Sequence, residues 1–339
     1  MVNLSDLSKM EPGAGGSSEL QPVWLQIEHL RPGKTQQQKP FFDLEAVDGS
    51  GRAKLKIWSE TEAFAFCEEA KPGDICELRA FFSTNAFGIN LNQPVLRLLT
   101  LAEKEVFLVG SLETREAREK DWDFLLEIFS ALKDPRLKAV NLHCLEQFQK
   151  KWKRAAAARS FHHARRGGLL EHTSQMLRCA VALAPLYQEI SPDLLYTGVL
   201  FHDVGKLWEN DYEGDSFLSY PSRRGELIGH ISLGIEVFNK CWRECEEKEP
   251  EIFTTTQPPS DLVRDHALHL IASHHGLKEY GAPVSPRTPE GWMLHHLDNI
   301  DAKIEMLRCT YAEKREVVPG LFEARRPLEG MAAKPLGEC

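Results

Sequence analysis

No run of this 339-residue chain approaches the roughly 18 consecutive apolar residues that a membrane-spanning helix needs. Residues 1–20, MVNLSDLSKMEPGAGGSSEL, have neither a cationic start nor an apolar core, which argues against a secretory signal. Cysteine is scattered. Of the eight, the nearest pair is Cys241 and Cys245 at helical spacing, which is neither a disulfide framework nor a CxxC zinc pair. A reducing cytoplasm fits that usage. Positive charge is not in excess either: the formal net charge is −9, so the molecule as a whole does not attract polyanions. Binding to nucleic acid would need a local basic patch.

The chain does have enough apolar residues to fold. At 42% hydrophobic and 27% charged it has a globular composition, and its length allows two domains. Residues 1–20 carry Gly13, Gly15 and Gly16 beside serines and read as a flexible lead-in. From about Val23 to Thr100 the pattern is that of strands. FFDLEAVDGSGRAKLKIW alternates apolar and polar residues on both sides of Asp48-Gly49, a hairpin signal. A short helix (TEAFAFCEEA), a turn (KPGD) and two further strands follow. Five strands with a helix after the third is the order of an OB-type barrel, and Trp58 closes the third strand as in OB domains that bind single-stranded nucleic acid. Beyond Asp121 apolar residues repeat every three to four positions. Helices are expected through about residue 310, including 192–209, 226–248, 261–274 and 290–310, and a loose tail after about Pro319.

Thirteen histidines are many, and several fall into an ordered set with aspartates. His172 lies in GGLLEHT, His202-Asp203 in FHDVGK, His230 in IGH, His274-His275 in SHHG and Asp298 in LDNIDAK. Imidazole and carboxylate are ligands for borderline divalent metals. Asp203 can give one oxygen to each of two ions, and the other six groups divide into two sets of three. Two such ions can activate water and clamp a phosphoryl oxygen together. An HD dipeptide alone carries little; the order of all seven groups carries the argument. His295 and His296 read as partners that orient a ligand, Asp301 as a weaker ligand candidate, and His29, His143, His266 and His269 as structural.

The helical region resembles the HD superfamily of metal phosphohydrolases. FHHARRGGLLEHT, LFHDVGK, ELIGHISLG, SHHGLKEYGAP and HHLDNIDAK resemble, more closely, the YhaM family of 3′-to-5′ exoribonucleases. The resemblance covers about residues 20–310. It implies an α+β protein: an N-terminal OB-type β-barrel followed by an all-α HD-superfamily domain. The expected partition is a flexible N-terminus (1–20), a nucleic-acid-binding OB-fold (21–105), a helical linker (106–160), the HD domain (161–310) and a C-terminal tail (311–339). The family pattern places His172, His202, Asp203 and Asp298 around one ion, and His230, His274 and His275 with bridging Asp203 around the other. The implied cofactor is two divalent transition-metal ions, Mn²⁺ first, with Co²⁺, Fe²⁺ or Ni²⁺ as alternatives. Asp203 and Lys206 are the expected catalytic groups, with the Lys206 ammonium steadying phosphate charge.

Between Gln149 and Leu170 stand Lys150, Lys151, Lys153, Arg154, Arg159, Arg165 and Arg166, with no acidic residue. This run leads into His172, so it can guide a phosphate backbone to the metal site, with Trp152, Phe161 and Tyr280 as rings for base stacking. His163, Arg165, Arg166 and Tyr280 are the expected substrate contacts, and His162 matches the family pattern beside His163. The expected substrate is single-stranded RNA, with single-stranded DNA as an extension; no membrane partner is expected, and self-association is left open. The competing readings are an HD-type cyclic-dinucleotide phosphodiesterase or nucleotide phosphohydrolase, and a non-catalytic nucleic-acid-binding regulator. The first usually has Gly-Tyr-Pro after the His pair, whereas this chain has Glu279-Tyr280-Gly281-Ala282-Pro283. The second would lack a ligand, and none is missing.

Overall fold

A computed structural model describes residues 3–8, 20–85, 88–110, 112–158, 163, 165–212, 216–217, 219–312, 316–324 and 328–337. The chain forms two compact units, Met1–Arg115 with Tyr212–Tyr220, and Glu116–Asp211 with Pro221–Cys339.

The first unit opens with α1 (Leu4–Ser8) and five strands: β1 (Gln21–Lys34), β2 (Pro40–Val47), β3 (Arg52–Trp58), β4 (Ile75–Asn85) and β5 (Gly88–Leu98). Helix α2 (Glu62–Glu69) stands between β3 and β4, as the sequence pattern predicts. In β3 the alternation is strict: Ala53, Leu55 and Ile57 are buried while Arg52, Lys54 and Lys56 face solvent. The β2–β3 hairpin turns where Asp48 Oδ1 accepts the amides of Ser50 and Gly51. The antiparallel order is β3-β2-β1-β4-β5, and β1 is long enough to pair with β4 over Gln21–Gln26 and with β2 over Gln26–Lys34. Edge strands β3 and β5 come close without pairing. The expected barrel is therefore an open, OB-like sheet. Most of the expected flexible lead-in lies outside the described residues, but Leu4 and Leu7 of α1 are buried in the core of the sheet.

Helix α3 (Leu101–Val109) starts at a Thr100–Glu103 capping box. The excursion at 212–220 belongs to this unit. Gln26 bonds Ser216 Oγ at 2.7 Å and the Phe217 amide at 2.8 Å, and Phe217 meets the Phe107 ring edge-on at 5.0 Å. No sequence signal announced it.

The second unit is helical: α4 (Leu112–Ser130), α5 (Pro135–Trp152), α6 (Gly168–Leu183), α7 (Pro192–Phe201), α8 (Arg223–Ile228), α9 (His230–Lys248), α10 (Pro250–Thr255), α11 (Ser260–Ser273) and α12 (Pro289–Ala312). A two-stranded ribbon, β6 (Asn210–Tyr212) with β7 (Ser219–Pro221), interrupts it. Its core joins Phe129, Leu145 and Trp152 to Leu177, Phe201, Phe238 and Leu270. Much of the stretch expected as a linker thus supplies core residues of the helical unit. The helix expected over 192–209 breaks at His202, and the one over 226–248 breaks at Gly229. Both breaks fall on the histidine motifs. The expected loose tail carries three short paired strands, β8 (Glu316–Val318), β9 (Leu321–Glu323) and β10 (Met331–Ala333). At three residues each, these strands are too short to show a period. Among the described residues no helix is long and apolar enough to cross a membrane.

Candidate metal centre

Three of the helix boundaries carry the histidine motifs. His202 caps the C-terminus of α7, and Asp203 opens the 3₁₀ turn Val204–Trp208. His230 is the first residue of α9, and His274 caps α11 with His275 following it. His172 and Asp298 come from the bodies of α6 and α12. Two glycines make the assembly fit. A Cβ on Gly205 would lie 1.9 Å from the His230 carbonyl oxygen, so only glycine lets the 3₁₀ turn reach the start of α9. Gly276 has φ +78° and its missing Cβ would strike the His295 ring at 2.4 Å, so the turn after His275 also requires glycine.

All seven groups converge. His172 Nε2 lies 3.3 Å from His202 Nε2, 3.4 Å from Asp298 Oδ1 and 3.9 Å from Asp203 Oδ2. On the other side, Asp203 Oδ1 is 3.6 Å from His230 Nε2 and 3.8 Å from His274 Nε2, and His230 Nε2 is 3.3 Å from His275 Nε2. The two oxygens of Asp203 therefore face two different donor sets.

The ring nitrogens pointing away from the centre are engaged. His202 Nδ1 and His274 Nδ1 each bond the carbonyl three residues back, Val199 and Ile271, at 2.8 Å. His275 Nδ1 bonds the Tyr280 carbonyl at 2.8 Å, and His172 Nδ1 bonds Asp301 Oδ2 at 2.7 Å. These acceptors take a hydrogen bond from Nδ1–H, so in each neutral ring Nε2 turns a lone pair inward. Facing lone pairs need an electrophile between them. His274 Nε2 and Asp203 Oδ1 are, moreover, buried without a hydrogen-bond partner. This donor set fits divalent cations, a hard carboxylate shared between two groups of imidazoles.

Electrostatics separates the two sets. Burial alone would lower the His172 pKa, but its bonds to Asp298 and Asp301 raise it to about 9. His274 is held well below the ordinary value by burial and by His202, and His275 is lowered by burial and by His230. Burial disfavours the Asp203 carboxylate, yet Lys206 and His202 hold its pKa well below the usual range. The Lys206 ammonium lies 2.6 Å from Asp203 Oδ2, so it is committed to that carboxylate and does not project into open space for a phosphate.

The remaining expected residues divide. His163 is buried, with backbone φ of 47°, and bonds Asp301 Oδ2 at 3.0 Å; it braces the partner of His172 and is not exposed for substrate. Arg165 lies between Glu305 at 2.6 Å and Glu171 at 2.6 Å, with its side chain partly exposed. Arg166 gives its carbonyl to Arg118 and is half-buried. Tyr280 is exposed. Trp152 is fully buried and cannot stack a base, while Arg159, Phe161 and His162 lie outside the described residues. His295 bonds the His274 carbonyl at 2.9 Å and so orients the backbone of His274, not its ring. Asp301 and Glu209, which is 3.5 Å from His230 Nδ1, are the groups sequence reasoning underrated or missed. Helical spacing of three from Asp298 was the available signal for Asp301; Glu209 offered none.

A helical unit with His and Asp groups gathered in this order is an HD domain, and the HD domain family matches residues 169–303. The comparisons extend over nearly the whole chain. A 3′-5′ exoribonuclease YhaM from Geobacillus sp. (strain WCH70) is 30% identical over 311 residues, 89% of this chain and 87% of the relative. Relatives of the same name from Oceanobacillus iheyensis (29% identical, 89% of each chain) and Bacillus subtilis (27%, 84% of this chain and 85% of the relative) also match. The chain belongs to the YhaM exoribonuclease family.

Proposed function

We propose that this protein is a metal-dependent 3′-to-5′ exoribonuclease acting on single-stranded RNA, with single-stranded DNA as a second substrate. The observation that carries the metal-dependent chemistry is the pair of donor sets that face each other across Asp203, with unpartnered His274 Nε2 and Asp203 Oδ1 aimed between them. The direction and the RNA substrate rest on the named relatives. His172, His202, Asp203 and Asp298 would hold one divalent ion, and His230, His274, His275 and Asp203 the other, Mn²⁺ being the first choice. When bound, the two ions supply the charge that activates water and neutralises the phosphoryl oxygens.

The protein's own groups prepare that chemistry. Asp203 stays ionised because Lys206 and its histidine neighbours surround it. Asp301 holds the His172 ring by Nδ1, and His163 holds Asp301. Tyr280 and Arg166 are the proposed substrate contacts among the residues expected to bind RNA, Tyr280 because it is exposed beside His275. The OB-like unit would raise affinity for long strands. A reducing cytoplasm is supported by seven free cysteines among the described residues.

The test uses the full chain with Mn²⁺ and a 5′-labelled single-stranded RNA. Mononucleotides should appear from the first time point with a descending ladder of labelled products, and a blocked 3′ end should stop the reaction. Cuts in circular RNA, or turnover of cyclic dinucleotides without linear RNA, would overturn the proposal in favour of the cyclic-dinucleotide reading.

A further inference from the structure

The cluster is unevenly covered: His172, His202, Asp203 and His274 are buried, whereas His230, His275 and Asp298 are only partly covered. His230 and His275 are therefore among the groups that a phosphodiester can approach. The chain beside these two residues exposes large apolar side chains: Leu227 (67% exposed) and Ile228 (46%) just before His230, and Leu277 (41%) and Tyr280 (63%) just after His275. The two stretches meet, since the His230 and His275 rings lie 5.1 Å apart. The Tyr280 carbonyl accepts His275 Nδ1 at 2.8 Å, which ties the base of the phenol side chain to the ring of a ligand residue.

Exposed apolar residues are ordinary when scattered. Here four stand within a few residues of the two accessible histidines of a site for a polyanion. A phosphate has no use for them; a nucleobase does. We infer that Leu227, Ile228, Leu277 and Tyr280 form an apolar rim that seats the nucleobase of the terminal nucleotide whose phosphodiester lies at the centre. This rests on the exoribonuclease reading. The only polar atom these four side chains offer is the Tyr280 hydroxyl, so the rim reads the face of the base and not its hydrogen-bonding edge. Every base has such a face, and recognition of this kind tolerates sequence. The substrate class is thus an RNA end that carries a base, whichever base it is.

The experiment compares the full-length Mn²⁺-loaded protein on 5′-labelled RNAs that differ only in the last nucleotide: A, C, G, U, or a ribose without a base. The four bases should be removed at rates within a few-fold, and the abasic end roughly tenfold more slowly in kcat/KM. Tyr280→Ala should lose roughly tenfold on ordinary ends, mainly through KM, with Mn²⁺ content unchanged, and Tyr280→Phe should restore the rate. The double change Leu227→Ser with Ile228→Ser should act in the same direction. The Tyr280→Ala loss and the abasic loss should not add, because they remove the two halves of one contact. An abasic end cut as fast as the others, losses that multiply, or a strong preference for one base would overturn the rim. A wild-type protein that shortens no linear RNA would overturn the exoribonuclease reading and the rim with it.

Discussion

The two halves of the metal centre use the same residue types but differ in their access to water and in their charge. In the half around His172 and His202 both rings are buried in the helical core, beside the partly exposed Asp298, with Asp301 behind His172 and a Lys206 contact on Asp203. The half around His230 and His275 is partly open, and burial with the neighbouring His230 holds the His275 pKa below its ordinary value. Burial strengthens every electrostatic interaction, so the inner half is shaped by carboxylates and their protons, whereas the outer half is shaped by access. One residue belongs to both: Asp203 turns Oδ2 to the first and Oδ1 to the second.

The comparison breaks most completely if that shared residue is removed. Asp203→Ala should lower RNA hydrolysis by on the order of 10⁴-fold, because both halves lose a ligand at once. Elemental analysis should find both ions depleted. Retention of one full equivalent of metal would show that one half stands without Asp203.

A smaller effect should separate the halves. Asp301 touches His172 and His163, both on the inner side of the centre. Asp301→Asn should weaken binding of one ion by roughly 10–100-fold and leave the other near wild type, a split readable by metal titration. Equal weakening of both ions would mean that the two halves are mechanically one.

The seven ligand candidates were legible because helix-end motifs such as FHDVGK and SHHG concentrate them, and the glycines beside them mark the breaks. The alternation through Arg52–Trp58 likewise made the β unit legible. What escaped depended on contacts between distant segments. The pairing of Arg165, a member of the basic run, with Glu305 was not legible because Glu305 lies 140 residues away. Trp152 looked like a stacking ring because its burial is decided by the other helices of the core. The inward orientation of the lone pairs was also hidden, since it depends on acceptors such as the Val199 and Tyr280 carbonyls.

The proton on His172 provides a subtler comparison. Its pKa is raised to about 9, so in the metal-free protein it is protonated at neutral pH, and a cation must displace that proton. Affinity of the inner half should therefore rise about tenfold per pH unit as pH climbs towards 9, then level off. His274 and His275 are shifted the other way, so the outer half should show no such slope above neutrality. Calorimetry in two buffers of different ionisation enthalpy should detect about one proton released per chain at pH 8. No release would show that His172 is already neutral there.

The smallest effect tests the two neighbouring arginines of the basic run. Arg165 is held between Glu171 and Glu305, and Glu305 is buried, so removing the guanidinium leaves a buried carboxylate short of its partner. A fully buried pair broken this way costs about 3–5 kcal/mol, but the Arg165 side chain is 37% exposed and water screens part of the loss. About 1 kcal/mol remains, a fall in Tm of about 2–4 °C for a unit of this size. Arg165→Ala should therefore lower Tm and leave the salt dependence of RNA binding unchanged. Arg166→Ala should do the reverse, reducing the slope of log affinity against log salt by about one if its guanidinium meets a phosphate. A reduced salt slope for Arg165→Ala with an unchanged Tm would return that residue to the RNA track and show that its two carboxylates release it when the strand arrives.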